Sequence, residues 1–278
     1  MRRPMDAHAD AGGMDHIEVE GLRIAYRRAG DGPPLVLLHG GPLDSREWRR
    51  QLEELSDEFT VVAWDAPGCG QSSDPPEAFR APEYANCLAA LIDAIGLERP
   101  HVAGLSFGAV LALELYRQHP EIPRTLILAS AYAGWLGSLP AEVVPERLRQ
   151  WLRLADLAPD QWAREWIPGL LSESAPADVV DEVIAIVSDF HPAGQRTIVR
   201  AFGSEADLRD VLPRIDVPTL LVYGDKDVRS PLSVAEDLHA QISTSRLVVI
   251  PGAGHLCDVE APERFNAEVR SFLRSVQV

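Results

Sequence analysis

Six continuous apolar runs of strand length are the feature that most restricts how this 278-residue chain can fold. The runs read PLVLLHG, TVVAWD, HVAGLS, RTLILAS, PTLLVYGD and RLVVIPG. A strand without polar alternation is typically covered on both faces, as in a parallel sheet. Segments with helical periodicity lie between the runs, at 45–55, 82–95, 107–119, 233–242 and 262–273. The alternation predicts an α/β fold with helices on both faces of the sheet.

Two further runs near the N-terminus, HIEVEG and LRIAYRRAG, alternate between apolar and polar residues. This pattern predicts two half-buried strands joined at Gly21, which gives an eight-stranded, mostly parallel sheet. Residues 1–14 contain two arginines but no apolar segment of the kind found in secretory signals. We therefore expect a flexible tail there.

The alternation is interrupted between residues 133 and 211, where the pattern is helical. We expect this segment to form a helical cap, or lid, on a core made of residues 15–132 and 212–278. Four of the six tryptophans lie in it, either as the apolar core of the cap or as walls of a ligand pocket. The bulkiest candidates for such walls are Trp135, Trp151, Trp162, Trp166, Phe190 and His191.

Composition excludes several classes of function. The net charge of −16 argues against binding to nucleic acid or to anionic lipid, although a local basic pocket for an anionic substrate stays open. No apolar run approaches the roughly 20 residues that span a bilayer. The three cysteines, Cys69, Cys87 and Cys257, have no CxxC spacing, so we expect neither a disulfide framework nor a zinc site. Such sparse cysteines suit a reducing compartment, and we expect the protein to be located in the cytoplasm.

The segment GLSFG places Ser106 between two glycines, directly after a predicted strand and before a predicted helix. Ligand sites of parallel α/β sheets lie at the carboxyl ends of the strands. A turn sharp enough to lift the serine hydroxyl clear of the backbone leaves no room for side chains at positions 104 and 108. The motif therefore predicts a nucleophilic serine, whereas the alternative is a glycine-rich turn with an idle serine.

A nucleophilic serine needs a base, and four histidines follow it in the chain. His119 ends the helix that begins after the serine, about 18 Å away by helical rise. His239 lies inside an amphipathic helix and His191 in the predicted cap. His255 lies in the glycine-rich loop PGAGHL after the strand RLVVI, which makes it the candidate base.

The candidate acids are Asp225 and Asp227, which lie in the turn after the strand PTLLVYG. The other plausible turn, after RTLILAS, contains no acidic residue before Glu142. The residues alone leave both aspartates open, and we expect the one that is not the acid to accept turn hydrogen bonds.

An oxyanion hole needs two backbone donors that face the developing negative charge. The amide of Phe107, next to the serine, is one candidate. The second donor is expected from the loop LLHGGPLDS, in which Pro42 has no N–H and Gly40, Gly41 and Leu43 remain. Gly41 allows the closest approach of the backbone to a substrate.

The segments HGGP, WDAPGCGQSSD, GLSFG, GDKD and GAGH together resemble the α/β-hydrolase family in order and spacing. The resemblance extends from about residue 15 to 273. It implies that Ser106 is the nucleophile, Asp227 the acid and His255 the base, with the amides of Gly41 and Phe107 as oxyanion donors. A serine at the nucleophile position argues against the epoxide-hydrolase and haloalkane-dehalogenase branches. The chain is similar to capped esterases and 3-oxoadipate enol-lactonase-like hydrolases.

The resemblance implies a serine hydrolase that cleaves a small carboxylic ester or lactone through an acyl-enzyme, with no metal and no organic cofactor. Two alternatives on the same triad are a proline-iminopeptidase-like aminopeptidase and a C–C bond hydrolase. The aminopeptidase should have cap carboxylates facing the serine, for which Glu165, Glu173 and Glu182 are available. The third alternative is a ligand receptor on a hydrolase fold. The expected partner is a small-molecule substrate; the sequence does not indicate an oligomeric state.

Overall fold

The computed structural model of the chain describes residues 13–276 except 155, 158, 190 and 205, and leaves out the side chains of 154, 159, 160, 162–164 and 204. The predicted eight-stranded, mostly parallel sheet is confirmed, with strand order β1-β2-β4-β3-β5-β6-β7-β8. The strands are β1 (Met14–Val19), β2 (Leu22–Ala29), β3 (Pro34–Leu38), β4 (Thr60–Trp64), β5 (His101–Leu105), β6 (Thr125–Ala129), β7 (Thr219–Gly224) and β8 (Ser245–Ile250).

The first two strands form the antiparallel edge of the sheet. β1 pairs with β2, and β2 pairs antiparallel with β4, while every later pair is parallel. The hairpin turns at Glu20 and Gly21, whose φ angles are 50° and 76°. Two positive φ values in succession give the twist that joins antiparallel strands tightly.

The central strands are buried on both faces, as their continuous apolar runs predict. Alternate residues of β3 belong to two separate apolar clusters: Leu35 and Leu37 to one, Val36 and Leu38 to the other. Strands β4, β5 and β6 are buried along their whole length. Helices cover each face, and burial of these aliphatic side chains contributes roughly 1.5–3 kcal/mol for each one.

The helices before the predicted cap segment are α1 (Arg49–Leu55), which follows a 3-10 turn at Ser45–Trp48, α2 (Ala81–Ala94) and α3 (Phe107–Gln118). α2 ends where Gly96, with φ 70°, can adopt the left-handed conformation that stops a helix. After β7 come α9 (Leu232–Gln241), α10 (Cys257–Glu260) and α11 (Pro262–Ser275). α11 begins at a proline, which suits the first helical position.

The chain between β6 and β7 is helical in its described residues. It contains α4 (Trp135–Ser138), α5 (Val143–Leu154), α6 (Pro159–Leu170), α7 (Ala177–Ser188), α8 (Pro192–Ile198) and a π-helical turn at Val199–Ser204. α8 touches the core backbone to backbone, because the Cα atom of Gly68 lies 2.5 Å from where a Cβ on Gly194 would be. The assignment of 133–211 as a cap, and of 1–14 as a tail, stays a prediction.

Parallel pairing brings the carboxyl ends of β3, β5, β6, β7 and β8 to one edge of the sheet. The loops that follow these ends therefore meet, and every residue of the predicted triad lies in one of them. In the described part of the chain, no helix is long and apolar enough to cross a lipid bilayer.

Candidate active site

Ser106 lies in a strained turn between β5 and α3, with φ 51° and ψ −107°. The two flanking glycines are required by contact with neighbouring backbone. A Cβ on Gly104 would lie 2.2 Å from the carbonyl oxygen of Gly108, and one on Gly108 would lie 2.0 Å from that of Leu38. The backbone at Ser106 is held by hydrogen bonds from its amide to Ala129 and from the amide of Val110 to its carbonyl. The turn thus places a partly exposed serine at the edge of the sheet.

His255 and Asp227 form a buried pair. Nδ1 of His255 lies 2.8 Å from Oδ2 of Asp227, and their side chains are 3% and 0% exposed. Oδ1 of Asp227 accepts the backbone amides of Arg229 and Ser230, each at 2.8 Å. Burial by itself raises the pKa of Asp227, but the imidazole charge, its hydrogen bond and these amides outweigh it and hold the pKa below its usual value. The carboxylate can therefore orient the imidazole and stabilise its protonated form.

Asp225 accepts a hydrogen bond from the neighbouring loop instead. Its Oδ1 accepts the amide of Gly252 at 2.6 Å, in the loop 251–256, which we call the histidine loop. The same loop is held by Glu260, which accepts the amide of Gly254, and by the hydroxyl of Ser130, which donates to the carbonyl of His255. The structure thus brings Asp227, not Asp225, to the histidine and gives Asp225 the turn hydrogen bond expected for the second aspartate.

The third contact of a triad, from Ser106 Oγ to His255, is absent as a hydrogen bond among the described residues. Such bonds are often long in enzymes without substrate and shorten when the substrate is bound. The structure therefore brings two of the three predicted residues into direct contact and places the serine at the same edge of the sheet.

The loop 39–44, which we call the oxyanion loop, follows β3. Its amides at Gly40 and Leu43 are occupied, the first by Oε2 of Glu47 at 2.7 Å and the second by the carbonyl of Gly40 at 2.9 Å. The amide of Gly41 has no hydrogen-bond partner among the described residues. A Cβ on Gly41 would lie 3.5 Å from Cβ of Phe107, whose own amide is in the first turn of α3, where N–H groups have no acceptor within the helix. The two predicted oxyanion donors are thus neighbours with available N–H groups.

Next to Ser106 lies a cavity of about 50 Å³. Most of its walls are apolar, and it is lined by Gly41, Ser106, Phe107, Val110, Tyr132, Trp135, Trp151, Ile198, Val199, Phe202 and Gly203. Of the predicted wall residues, the structure places Trp135 and Trp151 here. Trp166 packs against Trp151, and their ring centroids are 4.3 Å apart. The guanidinium carbon of Arg229 lies 3.7 Å from the ring centre of Trp166. Trp166 is therefore packing support rather than wall.

Of the remaining predicted wall residues, the structure describes the side chain of His191 alone, and His191 does not line this cavity. His191 is the residue before α8, and its Nδ1 lies 2.9 Å from Oδ1 of Asp74, in an exposed pair. The side chain of Trp162 and all of Phe190 lie outside the described residues. No carboxylate lines the cavity in the described part of the chain; Glu182, for example, binds Arg49 and Arg50.

A guanidinium approaches two of the cavity walls. Arg147, on α5, contacts the hydroxyl of Tyr132 at 3.3 Å and the carbonyl of Arg229 at 3.2 Å. Its guanidinium carbon lies 5.8 Å from the ring centre of Tyr132 and 5.4 Å from that of Trp135. Arg147 also precedes Trp151 by one helical turn, so the two share a face of α5. Among the described residues it makes no ion pair with an acidic side chain.

Sequence reasoning missed several residues of the site. Tyr132 follows β6 at the sheet edge where the predicted triad lies, and its ring centre is 6.5 Å from that of His255. Phe202 packs edge-on against Phe107 at 4.8 Å. The apolar residues of TIVRAFGS were a signal for the wall formed by Ile198, Val199 and Phe202, but their direction depends on how α8 and the π-helical turn sit on the core.

No three His, Cys, Asp or Glu side chains of the described residues come together as a metal site would require.

Comparison with known proteins agrees with the fold. A model of the alpha/beta hydrolase family matches residues 35–268. A thermophilic esterase from Thermogutta terrifontis, solved with malate bound, is 31% identical, has a TM-score of 0.88, and is matched over 96% of this chain and 100% of its own.

Two further relatives differ in activity. A proline iminopeptidase from Lactobacillus helveticus is 28% identical, over 91% of this chain and 95% of its own length. The enol-lactonase from Burkholderia xenovorans LB400 is 23% identical with a TM-score of 0.83, over 94% of this chain and 100% of its own. This last likeness concerns the fold. The predicted resemblance to esterases and enol-lactonases is confirmed.

Proposed function

Because this chain belongs to the alpha/beta hydrolase family, we propose that it hydrolyses small carboxylic esters or lactones through an acyl-enzyme on Ser106. The observation that carries the proposal is the buried His255–Asp227 pair at 2.8 Å, at the same sheet edge as the strained Ser106 turn. A non-catalytic receptor on this fold would not need the buried carboxylate, whose desolvation is costly unless it is paired.

In the proposed reaction, Ser106 Oγ attacks the carbonyl carbon of the substrate while His255 takes its proton. The new oxyanion accepts the amides of Gly41 and Phe107, and the protonated imidazole returns its proton to the leaving oxygen. Water then attacks the acyl-enzyme with His255 again as base, which releases the acid and restores the serine. Asp227 remains ionised throughout and stabilises the imidazolium.

The surroundings of the cavity support a small substrate with an acidic group. Apolar walls select an acyl chain by its shape and by apolar contact. Arg147 approaches two of these walls and makes no ion pair among the described residues, so a carboxylate on the substrate would supply the missing charge.

The aminopeptidase alternative receives less support. A substrate with a free amino group needs a nearby carboxylate, and none lines the cavity in the described residues. A cationic Arg147 near the walls would repel such a substrate. The similarity to the proline iminopeptidase therefore supports a shared family rather than the same substrate.

A serine-directed phosphonate tests the nucleophile. We expect one equivalent to attach to the peptide containing Ser106, and no label on Ser106→Ala. The same variant should lose on the order of 10⁶ in kcat toward a hydrolysed ester. Labelling of Ser106→Ala, or an unlabelled wild-type protein with full activity, would refute the proposal. Hydrolysis of aminoacyl amides but not of esters or lactones would favour the alternative.

A further inference from the structure

Arg229 joins the turn of the proposed acid to a helix of the segment between β6 and β7. It lies in the turn 225–230, which we call the acid turn. Its amide donates to Oδ1 of Asp227 at 2.8 Å, as described above. Its side chain leaves the turn and reaches α6, where Nε donates to the carbonyl of Gly169 at 2.8 Å and the guanidinium carbon lies against the ring of Trp166. One residue thus contacts the acid through its backbone and α6 through its side chain.

The end of α6 is shaped to receive a guanidinium. Gly169 contributes one of the last four carbonyls of the helix, which have no partner within it, and the helix dipole favours a cation there. A Cβ on Gly169 would lie 2.8 Å from both Nε and Nη2 of Arg229, so the glycine allows the guanidinium to pack against the backbone. Trp166 supplies the ring face that a cation binds. A carbonyl, a glycine and a ring together hold the Arg229 side chain in one direction.

The same end of α6 also holds the histidine loop. The carbonyl of Leu170 accepts the amide of Leu256, in that loop, at 3.0 Å. Glu260 accepts the amide of Ser172 at 3.0 Å with one oxygen and the amide of Gly254 at 2.8 Å with the other. Both loops that carry the proposed acid and base are therefore bonded to one helix end.

The Arg229 guanidinium depends on its contacts with α6, because no acidic side chain in the described part of the chain pairs with it. Burial, followed by the charge of Arg147, lowers the pKa of Arg229 to about 10, although Tyr132 and Asp227 raise it, so the side chain remains a cation at neutral pH. Burial deprives a cation of hydration, and the carbonyl and the ring on α6 compensate for this only at short range. The position of the acid turn is thus linked to the position of the end of α6.

We propose that Arg229 is a positioning residue whose side chain fastens the acid turn to the end of α6 and thereby keeps the Asp227 carboxylate in line with His255. Trp166 also packs against Trp151, a wall of the cavity, so the acid and the wall share α6 as their support. The inference rests on the proposed function, because Arg229 acts through the acid of that reaction.

The first test compares Arg229→Met with Lys226→Met, with kcat on an ester expressed per serine that a phosphonate labels, so that unfolded protein is not counted. Methionine binds neither the carbonyl nor the ring, and a loosened Asp227 should cost about 10–100-fold in kcat. KM should change less than about threefold, since the carboxylate stabilises an imidazolium that forms in the transition state. Lys226→Met is the matched control, because it removes an exposed cation next to Asp227 in the same turn, and it should behave like the wild type.

The second test reaches the same contact from α6. Gly169→Ala leaves every charge in place, but its Cβ would displace the guanidinium, so kcat should fall as it does in Arg229→Met. In the double variant the guanidinium is absent and alanine suits a helix better than glycine, so Gly169→Ala should have no further effect on kcat.

A spectroscopic readout needs no substrate. The Nδ1 proton that His255 donates to Asp227 is buried, and a proton held in this way gives a resonance at low field in the proton NMR spectrum. We expect this resonance, identified by its loss in Asp227→Asn, in the wild type and in Lys226→Met. It should broaden by exchange with water in Arg229→Met and Gly169→Ala. The resonance tests the inference even if wild-type protein hydrolyses no ester, the result that would refute the proposed function instead.

Four results would overturn the inference. Arg229→Met with the kcat and the resonance of the wild type, whatever its melting temperature, would leave Arg229 a purely structural role. An equal loss in Lys226→Met would assign the effect to charge alone. Gly169→Ala with the kcat of the wild type, or with a loss as large in the absence of Arg229, would mean that this contact does not position the acid. A wild type without the resonance would mean that Asp227 is not held. If Arg229→Met does not fold, Gly169→Ala and its resonance still decide.

Discussion

Replacement of Arg147 by methionine should separate charged from neutral substrates. The guanidinium contacts Tyr132 and the carbonyl of Arg229 at 3.2–3.3 Å, distances at which both bonds are weak, and it makes no ion pair among the described residues. A hydrogen bond to a charged group contributes about 1.5–3 kcal/mol. Because about 1.4 kcal/mol corresponds to a factor of ten, a substrate carboxylate held by Arg147 is worth roughly 10–100-fold in kcat/KM.

The assay measures kcat/KM for a monomethyl dicarboxylate ester and for a neutral methyl ester with the same acyl length. Wild type should prefer the anionic ester. Arg147→Met should lose about 10–100-fold on it and less than about threefold on the neutral one. Arg149→Met is the matched control, because Arg149 lies on the same helix but is exposed and pairs with Glu146. A wild type that prefers the neutral ester, or an equal loss on both esters in Arg147→Met, would refute the reasoning.

Three other predictions concern the acid of the site, a wall of the cavity and the packing of α8. Asp227→Asn should lower kcat about 10⁴-fold because the imidazole takes the wrong tautomer, whereas Asp225→Asn should cost much less; the reverse order in ester kinetics would make Asp225 the acid. Trp151→Ala should widen the cavity and shift the preferred ester toward longer acyl chains, and an unchanged chain-length profile would contradict its place in the wall. Gly194→Ala puts a Cβ 2.1 Å from a core carbonyl and should destabilise the fold by about 1–3 kcal/mol; a melting temperature equal to that of Gly13→Ala, which has open space, would contradict this.

The fold could be predicted because its signals are local. A strand such as β5 reveals its burial on both faces through an unbroken apolar run, and an adjacent helix follows from periodicity. The sharp turn at Ser106 was predictable because its signal, a serine between two glycines, lies within five residues. Side chains at 104 and 108 would collide with the carbonyl groups of Gly108 and Leu38, in the turn itself and in the neighbouring strand β3. His255 followed from its place after a strand.

The rest of the site depends on how distant segments pack. Asp225 and Asp227 lie two residues apart in one turn, and only the course of the histidine loop decides which faces the imidazole. Trp151 and Trp166 are equally bulky in sequence, yet the orientation of α5 against α6 makes one a wall and the other its support. Glu47 lies in a segment with helical periodicity, yet it is buried, and its Oε2 accepts the amide of Gly40.

The strained backbone angles of Ser106 bear on why evolution would keep a serine at this position. A left-handed φ of 51° is unfavourable for any residue with a Cβ and costs on the order of 1–3 kcal/mol, while glycine adopts it freely. Mutation to glycine is therefore always available as a gain in stability, and it would erase the hydroxyl. A serine persists at such a position only while selection for its hydroxyl outweighs selection for a firmer fold. The strain at this residue thus makes an idle serine evolutionarily short-lived.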